Sequence, residues 1–363
     1  LRVWYNIVIG DVDETGNTAM VNLKDLTLDQ IKDLLGRLGE PPYRALQLAR
    51  WLFQRGCPSW DEMTDLPKDL RARLKEMAIL RGLTLVQKQV SRRGDTIKYL
   101  FGLADGQAVE SVFMRHTYGR SACISTQVGC RMGCRFCAST IGGLIRNLSP
   151  GEMYDQVLAM QSDVGERISH VVLMGSGEPL DNFEHVMIFL EHLTAPYGLH
   201  IGYRHITLST CGVVPGILKL ARRRLPLTLA VSLHAPNDEL RNRLVPINRR
   251  HPLGELIPAC REYIKLTGRR ITFEYALLAG VNDSPRCALE LARLVGGMLC
   301  HINLIPANPV GGKDFSRTPA VRVQRFKNLL EKAGLSVTVR RELGGDIDAA
   351  CGQLRRRVLG LNG

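Results

Sequence analysis

Three cysteines, Cys130, Cys134 and Cys137, follow one another with the spacing C-x₃-C-x₂-C. From one short loop they can turn inward and present three thiolates to a single centre. Thiolates select soft partners, either zinc or an iron–sulfur cluster. A four-iron cube has four corners to fill, so three ligands leave one iron open to bind something else. The same residues admit other readings. Cys134 and Cys137 alone could form a redox pair or half a zinc site. Zinc would call for a second C-x₂-C or a His pair, and no comparable cluster occurs elsewhere in the sequence. A disulfide suits a reducing compartment poorly. Spacing favours the open cluster and leaves the other readings standing.

The chain has 363 residues, of which 45% are hydrophobic, enough for one large folded domain and a small appended one. No apolar run reaches transmembrane length, and the N-terminus lacks the basic and hydrophobic stretches of a secretory signal. A cytoplasmic setting with no membrane partner is expected, so the ten cysteines should be mostly thiols or ligands. The net charge of +13 points to a polyanionic partner. Basic clusters stand at Arg92-Arg93, Arg222-Arg223-Arg224, Arg249-Arg250, Arg269-Arg270 and Arg355-Arg356-Arg357. Such a spread suits a broad RNA-contacting face, and charge alone does not separate that from a merely basic enzyme.

Five segments divide the chain. Residues 1–21 read as a leader, non-native or disordered. Residues 22–80 read as a helical accessory domain for RNA docking, with helices over 26–38, 43–54 and 67–75. Residues 81–118 read as a β-rich antiparallel linker, with turns at Gly94 and Gly106. Residues 119–342 alternate strand and helix, starting with a strand over 122–128 that runs into the cysteine loop. Ser149-Pro150-Gly151-Glu152 is a capping box that opens a helix. Residues 343–363 form a C-terminal loop. Repeated βα units imply a parallel α/β sheet, open or closed, with chemistry at the C-terminal strand ends. The cysteine loop, Gly177, Glu178, Ser209, Ser232, Leu233, His234 and Asn308 all fall there.

Together, the Ser125-Thr126-Gln127-Val128-Gly129-Cys130 run, Gly177-Glu178-Pro179-Leu180, Asn303-Leu304-Ile305-Pro306 and the tail 346–354 (DIDAACGQL) closely resemble the RlmN/Cfr family of radical S-adenosylmethionine (SAM) RNA methyltransferases, over roughly residues 22–355. The RlmN branch is the better match. The resemblance implies a partial (β/α)6-type barrel holding one [4Fe-4S] cluster on Cys130, Cys134 and Cys137. It places SAM on the open iron and against Gly177, Glu178, Ser209, Ser232, Leu233, His234 and Asn308. For Gly177 the plainer reading is a turn glycine, and for His234 a satisfied structural histidine.

The family chemistry implied for this chain uses two further cysteines. Cys351 takes a methyl group from one SAM. A second SAM, cleaved reductively, activates that methyl for addition to adenine C2. Glu110 accepts the C2 proton, and Cys123 attacks Cys351 to release the product, leaving a Cys123–Cys351 disulfide. The implied partners are 23S rRNA, tRNA and an electron donor such as flavodoxin or ferredoxin, with the enzyme a monomer. Cys57, Cys211, Cys260, Cys287 and Cys300 read as small buried hydrophobes. Two rivals stay open: the Cfr branch, which methylates adenine C8, and an RNA-binding iron–sulfur protein without methyl transfer.

Overall fold

The computed structural model describes residues 20–80, 82–306, 315–340, 347 and 354–355. In the N-terminal module, strands β1 (Val21–Asn22) and β2 (Ala78–Ile79) pair in parallel and enclose helices α1 (Leu28–Arg37), α2 (Tyr43–Ala49) and α3 (Lys68–Met77). α1 begins at a capping box in which Thr27 and Gln30 satisfy each other's backbone amides. The α-helix expected to reach residue 54 gives way at Arg50 to a wider π-helical turn and stops at Gly56, whose left-handed φ of 60° favours a residue without a side chain.

A ten-stranded sheet follows. β3 (Leu83–Val90), β4 (Thr96–Leu103) and β5 (Ala108–His116) are antiparallel and join β6 (Gly119–Cys123). They do not form a separate unit, because β6 carries them directly into the parallel strands. Six βα units run β6–α4 (Pro150–Val164), β9 (His170–Leu173)–α5 (Phe183–Thr194), β10 (Ile206–Thr210)–α6 (Val214–Arg223), β11 (Thr228–Ser232)–α7 (Asp238–Leu244) and α8 (Leu253–Thr267), β12 (Ile271–Leu277)–α9 (Pro285–Val295) and β13 (Cys300–Pro306)–α10 (Ala320–Lys332), with β14 (Val337–Val339) last. The edge strands β14 and β3 do not pair with each other, so the barrel is partial. The strand expected over 122–128 breaks after Cys123. Ser125 donates its hydroxyl to the Glu110 carbonyl and its amide to Gln156, and the chain then leaves to pair β7 (Gln127–Gly129) with β8 (Leu144–Asn147).

Side chains alternate across this sheet. Leu208, Leu229, Phe273 and Ile302 are fully buried, while the intervening positions Ser209, Ser232, Glu274 and Asn303 give the other face a polar character. The helical module is fastened to the sheet through α4 and α5. Buried Lys24 donates to Asp155 at 2.5 Å and to the Leu80 carbonyl, and Asp155 also accepts the Gly82 amide at 2.9 Å. Asp25 accepts the Gly151 amide at 2.7 Å in the first turn of α4, where the helix dipole favours a carboxylate. Phe53 stacks on His192 with ring centroids 4.0 Å apart.

Lys24→Met would leave Asp155 buried without its cation, at a cost of about 3 kcal/mol. A clearly lower urea midpoint for unfolding is the expected result, and an unchanged one would contradict the clamp.

Candidate active site around the cysteine loop

The β7–β8 ribbon sets up the cysteine loop. Gly129 has φ 77°, and a Cβ there would stand 2.0 Å from the Gly143 carbonyl oxygen, the same oxygen that accepts the Cys130 amide at 2.9 Å. Only glycine allows so close an approach. The loop is then closed by the Cys137 amide donating to the Cys134 carbonyl, and by the Thr140 hydroxyl, which donates to both cysteines' carbonyls. Cys130 and Cys134 are buried and Cys137 half-buried.

Burial pushes the Cys130 thiol up to about 12, and burial followed by the neighbouring Cys137 and Cys130 pushes Cys134 up further. Among the described residues no three His, Cys, Asp or Glu side chains gather as a single metal ion would require. Three soft donors on one short loop fit a metal cluster, since iron would supply the positive charge that makes them thiolates.

The segment after β9 presses against the start of this loop. A Cβ on Gly175 would stand 2.6 Å from the Ile124 carbonyl, and one on Gly177 would stand 2.7 Å from Thr126 Oγ1 and 2.8 Å from the Gln127 amide, at φ 112°. Gly177 is therefore more than a turn glycine. Thr126 Oγ1 is buried and makes no hydrogen bond among the described residues. An orphaned hydroxyl beside a glycine cradle suits the polar end of a small cofactor. Glu178 is buried, and its carboxylate accepts the Cys211 amide at 2.7 Å and the Leu180 amide at 3.0 Å. It therefore ties the end of β10 to this segment. Desolvation still dominates and raises its pKa.

At the ends of β10 and β11, Ser209 and Ser232 are half-buried and Leu233 is fully buried. His234 has φ 57° and accepts the Ala276 amide on Nδ1 at 2.9 Å. Burial, then Arg241, pulls its pKa down to about 3, so the ring is neutral and its Nε2 carries the proton. The edge of Phe136, next to Cys137, packs on this ring at 4.7 Å.

Sequence reasoning missed three residues that hold these parts. Arg241 is buried, yet it looks like a surface arginine in the run Arg241-Asn242-Arg243. Gln156 bridges both backbone groups of Ser125, and Ser125 itself accepts the Ser176 amide. Ser125 stood out in the sequence only as the first residue of the Ser125–Cys130 run, and nothing in the sequence set Gln156 apart. Cys211, read from the sequence as a small buried hydrophobe, is buried here, and desolvation followed by nearby Glu178, Cys134 and Cys130 pushes its thiol well up.

Cys123 ends β6 opposite Val112, in a pocket with Met114, Val172 and Met174. Desolvation raises its pKa and Arg340 opposes that shift. It is a free thiol, so the Cys123–Cys351 disulfide implied by the resemblance is not formed here. Glu110 lies two residues along β5 from Val112, buried, in an ion pair with Lys98 at 2.9 Å. It also accepts the Arg355 amide at 2.6 Å. Asn308 and Cys351 lie outside the described residues.

Residues 124–292 match the radical SAM superfamily, and residues 21–80 match the ribosomal RNA large subunit methyltransferase N-terminal domain. A three-cysteine loop at the C-terminal end of a six-unit βα sheet, with that match, defines a radical SAM enzyme, a class that uses SAM and a [4Fe-4S] cluster. The probable dual-specificity RNA methyltransferase RlmN of Desulforamulus reducens is 64% identical over 341 residues, 94% of this chain and 97% of that protein. Its counterpart in Pelotomaculum thermopropionicum is 62% identical over 93% of this chain and 92% of its own length. A radical SAM methyltransferase from Sphaerobacter thermophilus superposes with a TM-score of 0.88 at 48% identity, covering 92% of this chain and 99% of its own. The chain belongs to the RlmN family of radical SAM RNA methyltransferases. Among the described residues no helix is long and apolar enough to cross a membrane.

Gly177→Ala should weaken SAM binding at least tenfold, measured by equilibrium dialysis, with the visible absorption of the reconstituted cluster retained. Wild-type affinity would show that the cradle has no part in holding the cofactor.

Proposed function

We propose that this chain methylates C2 of adenosine, both in the peptidyl transferase region of 23S rRNA and beside the anticodon of certain tRNAs. The dual-specificity names of its relatives support the two RNA classes. Adenine C2 lies between two ring nitrogens and is electron-poor, so it cannot attack the SAM methyl directly. When bound, the cluster and SAM supply one-electron chemistry, a 5′-deoxyadenosyl radical able to remove a hydrogen atom.

The chain's own residues carry the carbon. Cys351 takes a methyl from a first SAM as a thiolate. Once that methyl has lost a hydrogen atom to the second SAM's fragment, it bonds to C2. Glu110 receives the C2 proton. The C2 adduct would also have to give up its unpaired electron, which the oxidised cluster could take back. Cys123, as a thiolate, attacks the Cys351 sulfur, and the bond from that sulfur to the transferred carbon breaks. The carbon takes up a proton to become the methyl group, and two electrons and two protons later restore the thiols. Cys130, Cys134 and Cys137 hold the cluster. Gly177, Glu178, Ser209, Ser232, Leu233, His234 and Asn308 surround SAM.

One observation carries this reading. Arg355, four residues beyond Cys351, donates its amide to Glu110, two positions along β5 from the residue that faces Cys123. Four residues span at most about 14 Å, so an anchor at Arg355 supports a reading in which Cys351 works near Cys123.

Cys351→Ala should abolish RNA methylation while leaving the cluster's absorption intact. Full activity in that variant would overturn the carrier role. In the wild type, mass spectrometry of nuclease-digested RNA should place the methyl on C2, and a methyl on C8 would reassign the chain to Cfr-type chemistry.

RNA affinity should fall about a hundredfold between 50 and 200 mM salt, as expected for roughly four neutralised phosphates. An affinity flat over that range would rule out the electrostatic footprint.

A further inference from the structure

We propose that the outer side of the cysteine loop is the docking surface for a small acidic one-electron carrier protein. This rests on the reading above, in which the loop holds a cluster that must be reduced.

The turn Pro246–Arg249 packs on the loop from outside. A Cβ on Gly133 would stand 3.7 Å from Pro246 Cγ, and the Arg135 amide donates to the Leu244 carbonyl at 2.9 Å. Between turn and loop lies a cavity of about 500 Å³, with Met132, Val213, Pro246 and Ile247 among its lining and Arg249 and Arg250 beside them. Met132 sits in the chain between Cys130 and Cys134, so a partner seated here is close to two of the proposed ligands.

Charge selects the partner. Arg249 and Arg250 line this cavity and are exposed, Arg135 and Arg243 are exposed in the neighbouring loop and helix, and none of the four is ion-paired among the described residues, whereas Arg131 is already held by Asp181 at 2.8 Å. Four uncompensated positive charges attract an acidic surface and speed encounter. The lining favours protein over RNA. The one ring in the lining, His251, is buried and lies 3.7 Å from Glu255, so it offers no open face on which an unstacked base could lie. Methionine and arginine around a small aliphatic centre are characteristic of protein interfaces, and redox encounters use small ones. A flavin carrier in its anionic hydroquinone form would give up one electron and become the neutral semiquinone, the cluster would gain that electron, and no proton would move.

The test uses the full chain with its cluster reconstituted anaerobically, flavodoxin hydroquinone as the probe, and the variants Arg249→Glu/Arg250→Glu and, more mildly, Arg249→Gln/Arg250→Gln. Four quantities are measured: flavodoxin affinity, cluster bleaching by flavodoxin, cluster bleaching by dithionite, and tRNA affinity. The expected result for the charge-reversed pair is at least tenfold weaker flavodoxin binding and correspondingly slower bleaching by flavodoxin. A smaller loss in the Gln pair is expected, with dithionite bleaching unchanged in both and any loss of tRNA affinity well below the loss of flavodoxin affinity. Unchanged flavodoxin binding and bleaching would overturn the proposal, and so would a comparable loss of tRNA affinity, which would assign the surface to RNA. If dithionite fails to bleach the wild-type protein, the cluster reading itself falls. If dithionite succeeds and flavodoxin alone fails with the wild type, only the docking surface is lost.

Discussion

The open end of the sheet is held together by one buried guanidinium. Arg241 donates Nε to the Leu233 carbonyl, Nη2 to the carbonyls of Cys211 and Ser232, and Nη1 to Asn248. Strand ends leave carbonyls with no ladder partner, and buried ones must be satisfied elsewhere. Taking an arginine out of water costs several kcal/mol, offset here by four charge-assisted bonds. A lysine could not do the same, because the flat fork reaches two strand ends and a turn at once. Asn248 passes the constraint on. Its amide donates to Asp238 and Asn242, which fixes the turn behind the cysteine loop. Loop, strand ends and turn therefore share one origin of position.

The polar interior of the partial barrel follows a similar economy of pairing. Lys98 faces Glu110, Asn303 donates to Glu274 at 2.9 Å and accepts from Thr338, and Arg340 draws on both Glu274 and Cys123. Buried charges persist in a folded chain when they are paired, and a sheet face built from such pairs is ready to meet a polar substrate.

Much of this was legible in the sequence, for reasons that are local. The capping box at Ser149 and Glu152, the strand over Ile271–Leu277 and the alternation of βα units are encoded by neighbours along the chain. The loop cysteines and Gly177 are legible because metal ligands and close backbone approaches leave fixed residue types at fixed spacing. The misses depended on residues far apart. The strand expected over 122–128 breaks after Cys123 because Ser125 bonds to Glu110 and Gln156, fifteen and thirty-one residues away. The antiparallel strands belong to the main sheet because β6 pairs on both sides. Arg241 has no sequence signature at all, since an arginine in a charged helix normally faces water.

The clamp between the helical module and α4 has one more consequence. Lys24, Asp25 and Phe53 fix the module's distance from the open end of the sheet, so the two together act as a caliper with its jaws locked. Under the proposed function, an RNA that spanned both jaws would have to do the bending itself, swinging its target base out of the stack to reach the sheet. Selection then weighs how cheaply a loop deforms alongside what bases surround it. Two RNAs with little sequence in common, such as a ribosomal loop and an anticodon arm, could satisfy the same caliper if they yield with equal ease.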